Sequence, residues 1–483
     1  MADEFVDVLI VGAGISGISA AYHLQTLCPD HHYAIVEARA SLGGTWDLFR
    51  YPGVRSDSDM HTLGFSFRPW ADEKAIAQGS AILDYLRDTV REHGIDRRIR
   101  FGHRVLRADW SSSDSEWRVE VGRTSDGNAS FIRCGFLFMC SGYYDYAEGH
   151  RPQFSGEARF GGRIVHPQHW PADLDYAGKR VVVIGSGATA VTLVPAMADK
   201  AAHVTMLQRS PTWMVSRPST DNLSAGLLRH LPTSAALGIT RWKNILLSQL
   251  VVALCKYRPQ TMRKILLGGV QKALGSAVDI GANFTPRYNP WEQRLCLVPD
   301  GDFFRAIKAG SASVLTDHIE SFTETGLCLA SGATLDADII VTATGLKLAM
   351  LGNTALYVDG QRVEPSRSVN YKGFMFTGVP NMANTFGYTN ASWTLKADLT
   401  ARYVCRLLNH MRKIGARQCV VPALAPETPL RPWTDFSSGY FQRASDRLPR
   451  QGVTKPFKLN QNYLSDRVAM RFGAVDDGVM RFT

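Results

Sequence analysis

Residues 7–17 read Asp-Val-Leu-Ile-Val-Gly-Ala-Gly-Ile-Ser-Gly, a short apolar run that leads directly into a glycine-rich turn. A helical pattern follows over 18–27, and a second apolar run, 33–36, ends in Glu37. Strand, tight turn and helix in this order are typical of a dinucleotide-binding fold, in which a pyrophosphate lies at the helix N-terminus and the acid binds a ribose hydroxyl. This first site is predicted to contain Gly12, Gly14, Ser16, Gly17 and Glu37.

The same pattern returns later in the chain. An apolar run, 180–184, leads into Gly-Ser-Gly-Ala-Thr-Ala at 185–190, and the following strand, 203–207, ends in Gln-Arg-Ser at 208–210 instead of an acid. A guanidinium at this position suits a ribose 2′-phosphate. We therefore predict FAD at the first site and NADPH at the second, with a surface arginine that merely ends a strand as the alternative. The second site is predicted to contain Gly185, Ser186, Gly187, Ala188, Thr189, Ala190, Arg209 and Ser210.

Two further apolar runs, 136–142 and 338–345, each end in glycine, and we interpret them as strands that return the chain between the two units. The predicted fold class is therefore α/β, with two Rossmann-like dinucleotide-binding domains, one for FAD and one for NADPH, and a helical insertion. We expect a split FAD-binding domain (1–144 and 341–483), a split NADPH-binding domain (145–213 and 294–340) and a basic helical insertion (214–293).

The insertion holds most of the excess positive charge. Between 222 and 278 there is no acidic residue, and the longest apolar run there, 245–255, is too short to span a membrane. Three- and four-residue spacing predicts two or three amphipathic helices, broken at Pro232 and Pro259. We interpret them as a solvated basic face, with a peripheral membrane or acidic-partner surface as the alternative; nucleic acid is disfavoured because no binding module accompanies the charge. The cations are Arg229, Arg241, Lys243, Lys256, Arg258, Arg263, Lys264 and Lys272.

The whole chain has 483 residues, which at roughly 100–200 residues per domain predicts about two to four domains. Hydrophobic residues make up 45% and charged residues 20%, which excludes a disordered, collagen-like or coiled-coil protein, and the net charge of +10 suggests anionic partners. The eight cysteines contain no Cys-x-x-Cys pair and are expected to be reduced, and the acidic N-terminus predicts no signal peptide. We therefore expect a cytoplasmic protein, with peripheral membrane association as an alternative; nothing indicates its oligomeric state.

Two stretches of the sequence narrow the class of flavoprotein to which the chain can belong. Disulfide reductases carry a redox cysteine pair just after such a glycine-rich loop, whereas here Trp46 follows, so that class is excluded. The stretch 160–171, Phe-x-Gly-x-x-x-His-x-x-x-Trp-Pro, resembles the signature of type I Baeyer-Villiger monooxygenases, and 43–57, with Gly-Gly-x-Trp, Tyr-Pro-Gly and Asp, is similar to a second long signature of that family. The resemblance extends over almost the entire chain, and 288–302 and 387–398 look most like the ethionamide-activating subgroup.

The resemblance implies an FAD- and NADPH-dependent monooxygenase that inserts one oxygen atom from O2 into ketones, through a C4a-peroxyflavin, to give esters or lactones. It implies sulfide or thioamide S-oxidation as a side activity, so the small-molecule partners are a ketone or sulfide and O2. By the family pattern Arg294 is the catalytic arginine, and Asp57 orients it. The resemblance adds as cofactor-binding residues Thr45, Trp46, Arg55, Ser56, Asp57, Val105 and Asn390.

Several of these residues have plainer interpretations. Arg294 could form a domain-interface ion pair, and Asp59 is expected to cap a helix. By resemblance, His166 belongs to the hinge between the domains, and because no carboxylate or cysteine cluster accompanies it and His169, no metal is expected. Gln293 stands where many family members carry lysine, which leaves the strength of the NADPH preference open.

Two other functions stay open. The nearest is a flavin monooxygenase specialised for sulfur or nitrogen, and Trp170-Pro171 together with Asp57 weighs against it. The other is a non-catalytic, NADPH-sensing flavoprotein, which would bind flavin without inserting oxygen. The presence of both Asp57 and Arg294 weighs against this second alternative.

Overall fold

The structure is a computed structural model that describes residues 4–125, 127–276 and 278–483. Residues 1–3, part of the acidic N-terminus that predicts no signal peptide, lie outside the described residues. The helices are α1 (Ile15–Leu27), α2 (Thr45–Leu48), α3 (Met60–Leu63), α4 (Gly79–Glu92), α5 (Ala188–Ala198), α6 (Asn222–His230), α7 (Thr233–Tyr257), α8 (Pro259–Leu274), α9 (Ile280–Phe284), α10 (Asp302–Lys308), α11 (Trp393–Ile414), α12 (Gly439–Ala444) and α13 (Tyr463–Phe472).

The strands are β1 (Glu4–Val11), β2 (Tyr33–Glu37), β3 (Ile99–Phe101), β4 (His103–Ser111), β5 (Glu116–Arg123), β6 (Ala129–Met139), β7 (Tyr144–Gly149), β8 (Arg163–Val165), β9 (Arg180–Ile184), β10 (His203–Gln208), β11 (Met214–Arg217), β12 (Cys296–Pro299), β13 (Ala312–Thr316), β14 (Ile319–Phe322), β15 (Gly326–Leu329), β16 (Thr334–Asp336), β17 (Ile339–Thr342), β18 (Leu346–Leu348), β19 (Ala355–Val358), β20 (Gln361–Arg362), β21 (Asn370–Tyr371), β22 (Met375–Phe376), β23 (Met382–Asn384), β24 (Cys419–Val420), β25 (Leu430–Pro432), β26 (Arg450–Gly452) and β27 (Arg481–Phe482).

A nine-stranded sheet forms the first unit, in the order β20-β19-β4-β5-β6-β1-β2-β3, with β23 beside β6. β1 pairs in parallel with both β2 and β6. Its residues alternate between two cores: Val8 and Ile10 pack with α1, α4 and α11, whereas Leu9 and Val11 belong to the core on the opposite face. Burial on both faces explains why residues 8–11 of β1 are continuously apolar and do not alternate with polar residues.

Five parallel strands, in the order β13-β10-β9-β17-β8, form the second unit. α5 follows β9 directly and buries Leu193, Val194 and Met197 in the core on one face of this sheet, while a smaller core around Val182 and Ile340 lies on the other. Both units therefore have the strand, glycine turn and helix order that the sequence predicts. The predicted α/β class with two Rossmann-like units is confirmed.

β7 and β18 form a two-stranded antiparallel ribbon where the chain passes between the two units. The first passage begins at Tyr144, beside the predicted boundary at 144/145. At the second passage, β17 pairs along its length with β9 of the second sheet, so Val341 and Thr342 lie with the second unit, just past the boundary predicted at 340/341. The ribbon is thus the structural link between the units.

The basic insertion is helical, as predicted, and α6, α7 and α8 are separated at Pro232 and at the Arg258-Pro259 junction. β11 and β12 pair in parallel at its base. Among the described residues no helix is long and apolar enough to cross a membrane. Two of the cations do not belong to a solvated face: Arg241 donates to the carbonyl oxygens of His61 and Gly64 at 2.7 and 2.8 Å, and Lys243 pairs with Asp221. This part of the sequence interpretation is corrected, because carbonyl oxygens of the first unit bind Arg241 and the carboxylate of Asp221, within the insertion, pairs with Lys243.

Candidate active site

The first glycine-rich turn lies between β1 and α1. Gly12 has a φ of +106°, and a side-chain carbon there would lie 2.6 Å from the carbonyl oxygen of Cys140. A side-chain carbon at Gly17 would lie 1.9 Å from the carbonyl oxygen of Gly12, so α1 packs this closely only because position 17 has none. A side-chain carbon at Gly14 would point toward the Cα of Gly44, 3.6 Å away. Two backbone segments thus form a cradle at the N-terminus of α1, which is the shape that a pyrophosphate requires.

Glu37 ends β2 and is buried beside this turn. Its Oε2 accepts a hydrogen bond from the amide of Ala13 at 2.8 Å, and its Oε1 accepts one from the amide of Arg39 at 2.9 Å. Burial raises the pKa of Glu37, while these two amide hydrogen bonds act in the opposite direction. Each carboxylate oxygen keeps a further lone pair. Glu37 therefore holds the turn and can still accept a ribose hydroxyl.

The second glycine-rich turn lies between β9 and α5. Gly185 has a φ of +133°, and a side-chain carbon there would lie 2.3 Å from a carbonyl oxygen just after β17. Gly187, by contrast, faces open space. Ser186 donates its hydroxyl to the carbonyl oxygen of Ser210 at 3.0 Å, which ties the turn to the end of β10, where Arg209 is exposed. The structure therefore brings both parts of the predicted second site to one edge of the sheet.

The segment 51–57, called the strap from here on, runs between the two units. Its odd-numbered residues all contact the second unit, although Tyr51 to Val54 form a turn in which Gly53 has a φ of +77°. Burial raises the pKa of Tyr51 to about 12. The strap therefore sets how the two units sit relative to each other. Its contacts are Tyr51 with Thr189, Gly53 with Ala196, Arg55 with Asp302 and Asp57 with Arg294.

Arg294 lies in the loop before β12, and its Nη1 donates to Oδ2 of Asp57 at 2.5 Å. The two side chains are 34% and 49% exposed, so the ion pair adds little to stability, and its importance lies in the position that it gives to the guanidinium. Burial acts to lower the pKa of Arg294, but the neighbouring Tyr143 and Asp57 raise it well above its ordinary value. Nε of Arg294 is buried and has no hydrogen-bond partner among the described residues. The guanidinium of Arg294 is thus always charged, and its Nε–H donates no hydrogen bond to the described residues.

A chain of contacts links Arg294 to the first glycine turn. The ring of Tyr143, which lies beside Arg294, stacks on Trp393 with a centroid distance of 5.1 Å and an interplanar angle of 10°. Nε1 of Trp393 donates to Oγ of Ser16 at 2.7 Å. Arg294 belongs to the second unit in sequence, yet its guanidinium lies on the side of the first nucleotide turn.

Three other predicted cofactor residues lie around the same turn. The hydroxyl of Thr45 is 3.1 Å from that of Tyr146, and Trp46 packs against the core beneath the turn. Asn390 precedes α11, and its Nδ2 donates to the carbonyl oxygen of Gln461 at 2.8 Å. Oδ1 of Asn390 is buried without a hydrogen-bond partner in the described part of the chain. These positions can all contribute to a ligand at the turn.

The side chains of three further predicted cofactor residues are already engaged. Arg55 is held by Asp302 of α10, and the hydroxyl of Ser56 accepts a hydrogen bond from the amide of Ala77 at 3.1 Å. Val105 is buried in β4 and has an apolar side chain. These three residues can therefore meet a cofactor only through their backbone or as walls of the site.

Sequence analysis did not single out the segment around α12. Ser437 donates both its amide and its hydroxyl to the carbonyl oxygen of Glu292, two residues before Arg294, at 3.0 Å each. Tyr440 lies close enough to Arg294 to affect its pKa, and Nη2 of Arg443 would be 3.5 Å from a side-chain carbon at Gly345. A spacing of three residues places Tyr440 and Arg443 on one side of α12, and Ser437 lies just before the helix. The only local signal was a Ser-Ser-Gly helix start far along the chain, which says nothing about where the helix packs.

His166 and His169 lie against the ribbon. A side-chain carbon at Gly149 of β7 would lie 2.0 Å from Cε1 of His166, and Nε2 of His169 is 3.0 Å from the carbonyl oxygen of Ala147. Burial lowers the pKa of His166. No group of three or more metal-binding side chains occurs among the residues that the structure describes. Asp59 caps α3 by accepting from the amide of Thr62 at 3.0 Å, as predicted.

Curated relatives match the chain over nearly its whole length. A family profile of flavin-binding monooxygenase-like proteins matches residues 6–422. The FAD-containing monooxygenase EthA of Mycobacterium tuberculosis is 55% identical over 480 residues, which is 99% of this chain and 98% of the relative. The probable FAD-binding monooxygenase AlmA of Acinetobacter baylyi is 48% identical over 484 residues, covering 99% of this chain and 96% of the relative.

Solved structures share the fold. An oxidised steroid monooxygenase bound to NADP has a TM-score of 0.76 and 22% identity, with 99% of both chains covered. An open crystal structure of cyclohexanone monooxygenase has a TM-score of 0.75 and 18% identity, with 99% of this chain and 100% of the other covered. At these identities the likeness concerns the fold alone.

The family profile and the curated relatives show that the chain is a flavin monooxygenase, an oxidoreductase. The chain belongs to the flavin-binding monooxygenase-like family. The predicted resemblance to the Baeyer-Villiger monooxygenases and to their ethionamide-activating subgroup is confirmed at this level.

Proposed function

We propose that this flavin monooxygenase converts ketones into esters or lactones, with S-oxidation of sulfides or thioamides as a side activity. The observation that carries the proposal is the 2.5 Å contact between Arg294 and Asp57 beside the first nucleotide turn. A permanently charged guanidinium at this place can stabilise the oxyanion that forms when an oxidant adds to a carbonyl carbon. In the overall reaction, ketone, O2, NADPH and a proton become ester, NADP+ and water.

FAD and NADPH are the cofactors of this chain. The cradle between Gly14 and Gly44 suits the FAD pyrophosphate, and the buried Glu37 suits its ribose. Bound FAD would accept hydride from NADPH and would activate dioxygen. We assign to FAD binding Gly12, Gly14, Ser16, Gly17, Glu37, Thr45, Trp46, Asp57 and Asn390, with Arg55, Ser56 and Val105 as backbone or wall contacts.

NADPH is assigned to the second turn. Gly187 leaves the N-terminus of α5 open to a pyrophosphate, and the exposed Arg209 suits the 2′-phosphate. Arg294 precedes β12 of the second unit and contacts Asp57 of the strap, so it lies where the two units meet. The assigned residues are Gly185, Ser186, Gly187, Ala188, Thr189, Ala190, Arg209 and Ser210.

Each residue of the proposed active site has a separate role. Asp57 orients the guanidinium of Arg294, and the Arg294 side chain, which is 34% exposed, remains open to a substrate oxygen. The stacked rings of Tyr143 and Trp393 exclude water from one side, which strengthens the electrostatic effect of the cation. The strap keeps these groups together by tying the first unit to α5 and α10.

S-oxidation as the main reaction is the second candidate function. A sulfide is itself the nucleophile and forms no carbonyl oxyanion, so its oxidation does not require a cation at position 294. The placement of Arg294 favours ketones on this ground, and the ethionamide-activating resemblance favours sulfur. A non-catalytic NADPH-sensing flavoprotein does not account for the orienting contact from Asp57.

The deciding experiment uses the flavin-loaded protein with NADPH, O2 and either 2-octanone or methyl phenyl sulfide. Ester and sulfoxide are measured by gas chromatography against NADPH consumed. Ester formation coupled to NADPH consumption supports the proposal. Sulfoxide without ester would move the function to S-oxidation, and no NADPH consumption would favour the non-catalytic flavoprotein.

We also propose the predicted division into domains, with 1–144 and 341–483 for FAD, 145–213 and 294–340 for NADPH, and 214–293 as the insertion, except that Val341 and Thr342 complete β17 and belong to the NADPH unit. Peripheral membrane contact through the insertion is proposed as well. It is supported by the exposed, unbalanced positive charge of the insertion.

A further inference from the structure

The outer face of α7 carries an apolar stripe. Leu246, Leu250, Leu254 and Tyr257 are 52, 55, 39 and 74% exposed, and their spacing of four, four and three residues places them in one line along the helix. Ile239, which is also exposed, continues the line toward the start of α7. At 1.5 Å per residue the stripe is about 27 Å long. Exposed apolar surface of this extent usually marks an interaction site.

A second apolar line lies beside the first. Leu464, Val468 and Phe472 of α13 are exposed at intervals of four residues. The two helices meet at Trp242, whose ring lies 4.9 Å from the guanidinium of Arg467 and 6.3 Å from the ring of Tyr463. The apolar surface is therefore formed by two helices that are distant in sequence.

The same helical insertion carries unneutralised cations. On the insertion, five exposed arginine and lysine side chains form no ion pair within the described ranges, and no acidic residue occurs between 222 and 278. Apolar side chains beside unneutralised cations match a bilayer with anionic headgroups, since the chains enter the acyl boundary and the cations stay with the phosphates. The five cations are Arg229, Lys256, Arg258, Lys264 and Lys272.

We propose that the enzyme docks on an anionic lipid bilayer through the apolar lines of α7 and α13. The helices lie on the membrane and do not cross it. The proposal deepens the peripheral contact proposed above by naming the residues that enter the lipid.

The inner face of α7 lies close to the active site. Nδ2 of Asn244 donates to Oδ1 of Asp59 at 3.1 Å, two residues after Asp57, and Ile245 packs with Tyr388 and Leu395. Docking would therefore place the site one helix away from the bilayer. If the proposed oxygenation holds, its substrates are apolar ketones or sulfides that dissolve in the membrane.

The test is flotation of the flavin-loaded protein with vesicles of phosphatidylglycerol and phosphatidylcholine, or of phosphatidylcholine alone. The variant Leu246→Gln/Leu250→Gln/Leu254→Gln removes the stripe, and Leu27→Gln/Leu106→Gln/Ile414→Gln changes three equally exposed apolar residues elsewhere. Binding of the wild type to the anionic vesicles is expected to weaken more than about tenfold in the first variant and to stay unchanged in the second. Lys256→Glu/Lys264→Glu should weaken it about fivefold or more per charge.

Absence of flotation at low salt, or equal flotation of the two leucine variants, would overturn the proposal. So would a dimer in sedimentation velocity that depends on the stripe while vesicles bind nothing, because the surface would then pair with a second copy. Flotation is measured without substrate, so its result does not depend on whether the protein oxygenates ketones or sulfides.

An independent observation concerns Arg443 of α12. Nη2 of Arg443 would lie 3.5 Å from a side-chain carbon at Gly345, and the chain just before Gly345 touches Gly185 of the second nucleotide turn. Arg443 is exposed and forms no ion pair within the described ranges. Burial lowers the pKa of Arg443, and the positive charge of Arg209 lowers it further. The guanidinium groups of Arg443 and Arg209 thus lie near the same edge, just beyond the end of β10, and neither has an ion-pair partner among the described residues.

We infer that Arg443 binds the 2′-phosphate of NADPH together with Arg209. A dianionic phosphate would relieve the repulsion between the two cations. Arg443 would supply the second positive charge that lysine supplies in many family members, where this chain has Gln293. The inference rests on the proposed assignment of NADPH to the second turn.

The test compares steady-state kinetics with NADPH and NADH. Arg443→Ala should raise KM for NADPH about tenfold or more and leave KM for NADH unchanged, whereas Arg447→Ala, an exposed arginine one turn further on, should change neither. The inference would be overturned if Arg443→Ala raised KM for NADPH and KM for NADH equally, or if it changed neither. Arg209→Ala distinguishes a failure of this inference from a failure of the NADPH assignment. If Arg209→Ala leaves the preference for NADPH over NADH unchanged, the assignment of NADPH to the second turn fails.

Discussion

Arg294 and Asp57 are 237 positions apart in the chain, and a single 2.5 Å hydrogen bond joins them in the structure. Each has an ordinary interpretation when it is considered alone. Together they place a charged guanidinium beside Tyr143 and Trp393, on the side of the first nucleotide turn. The chemistry of the site therefore depends on one long-range contact between single residues.

Replacement of Arg294 by alanine should abolish oxygenation but not flavin binding. Removing one donor that stabilises a developing oxyanion typically lowers the rate by about 100- to 1,000-fold, so we expect at least that loss of ester formation. Flavin content, measured by absorbance of the purified protein, should equal that of the wild type. Arg287→Ala, an exposed arginine in the preceding loop, is the control. Retained ester formation in Arg294→Ala would remove the arginine from the mechanism.

At the scale of elements, the strap shows why a loop without regular structure carries one of the long sequence signatures. Tyr51, Gly53, Arg55 and Asp57 all reach the second unit, and the chain turns at Gly53, which has a φ of +77°. Gly53 is required because a side-chain carbon there would lie 2.6 Å from Cβ of Ala196. The motif is therefore an interface as well as a part of the active site.

Three helices meet at Asp398 of α11. Oδ1 of Asp398 accepts the hydroxyl of Ser19 on α1 at 2.6 Å, and Oδ2 lies 4.0 Å from the guanidinium of Arg241 on α7. Burial acts to raise the pKa of Asp398, but His23, Arg241 and Ser19 outweigh burial and hold the pKa well below its usual range. This carboxylate therefore joins the first nucleotide helix to the insertion.

Asp398→Asn should destabilise the protein at neutral pH by about 3 kcal/mol, because it leaves buried partners without their charge. The pKa of Asp398 is lower in the folded than in the unfolded state, so its contribution is present above about pH 4 and is lost as the pH falls further. Urea unfolding at pH 7 and pH 3.5 measures both effects. The difference between wild type and variant should be smaller at pH 3.5. Asp88→Asn, at an exposed pair on α4, should change stability by less than about 0.5 kcal/mol.

For the molecule as a whole, the ribbon of β7 and β18 is the covalent link between the FAD and NADPH units. His166 packs directly on Gly149 of this ribbon, and its pKa is lowered by burial. This packing agrees with the hinge position that the sequence resemblance implies. It also gives a structural role to a histidine that belongs to no group of three or more metal-binding side chains in the described part of the chain.

Gly149→Ala should disturb the movement or the alignment of the two units. The added carbon would lie 2.0 Å from Cε1 of His166, so the imidazole must move. We expect slower reduction of the flavin by NADPH, by about tenfold, in stopped-flow absorbance, with unchanged flavin content. The double variant Gly149→Ala/His166→Ala has room for the new carbon and should recover most of the rate. A double variant as slow as the single one would contradict this explanation.

The sequence by itself determined the two nucleotide turns, the acid of Glu37, the cap at Asp59 and the breaks at the insertion prolines. These are local properties: a glycine at positive φ, a capping carboxylate or an apolar run acts within a few residues of itself. The match of two long motifs added the pairing of Arg294 with Asp57. Family membership followed from the same local patterns.

Only the tertiary structure decided which distant groups meet. It turned Arg241 and Lys243 inward, placed α12 beside Arg294 and Arg209, and set the apolar line of α13 next to that of α7. Local spacing predicts which face of a helix is apolar or charged, but not which surface that face covers. That choice depends on burial and charge summed over elements that are far apart in the chain, and it exists only once the chain has packed.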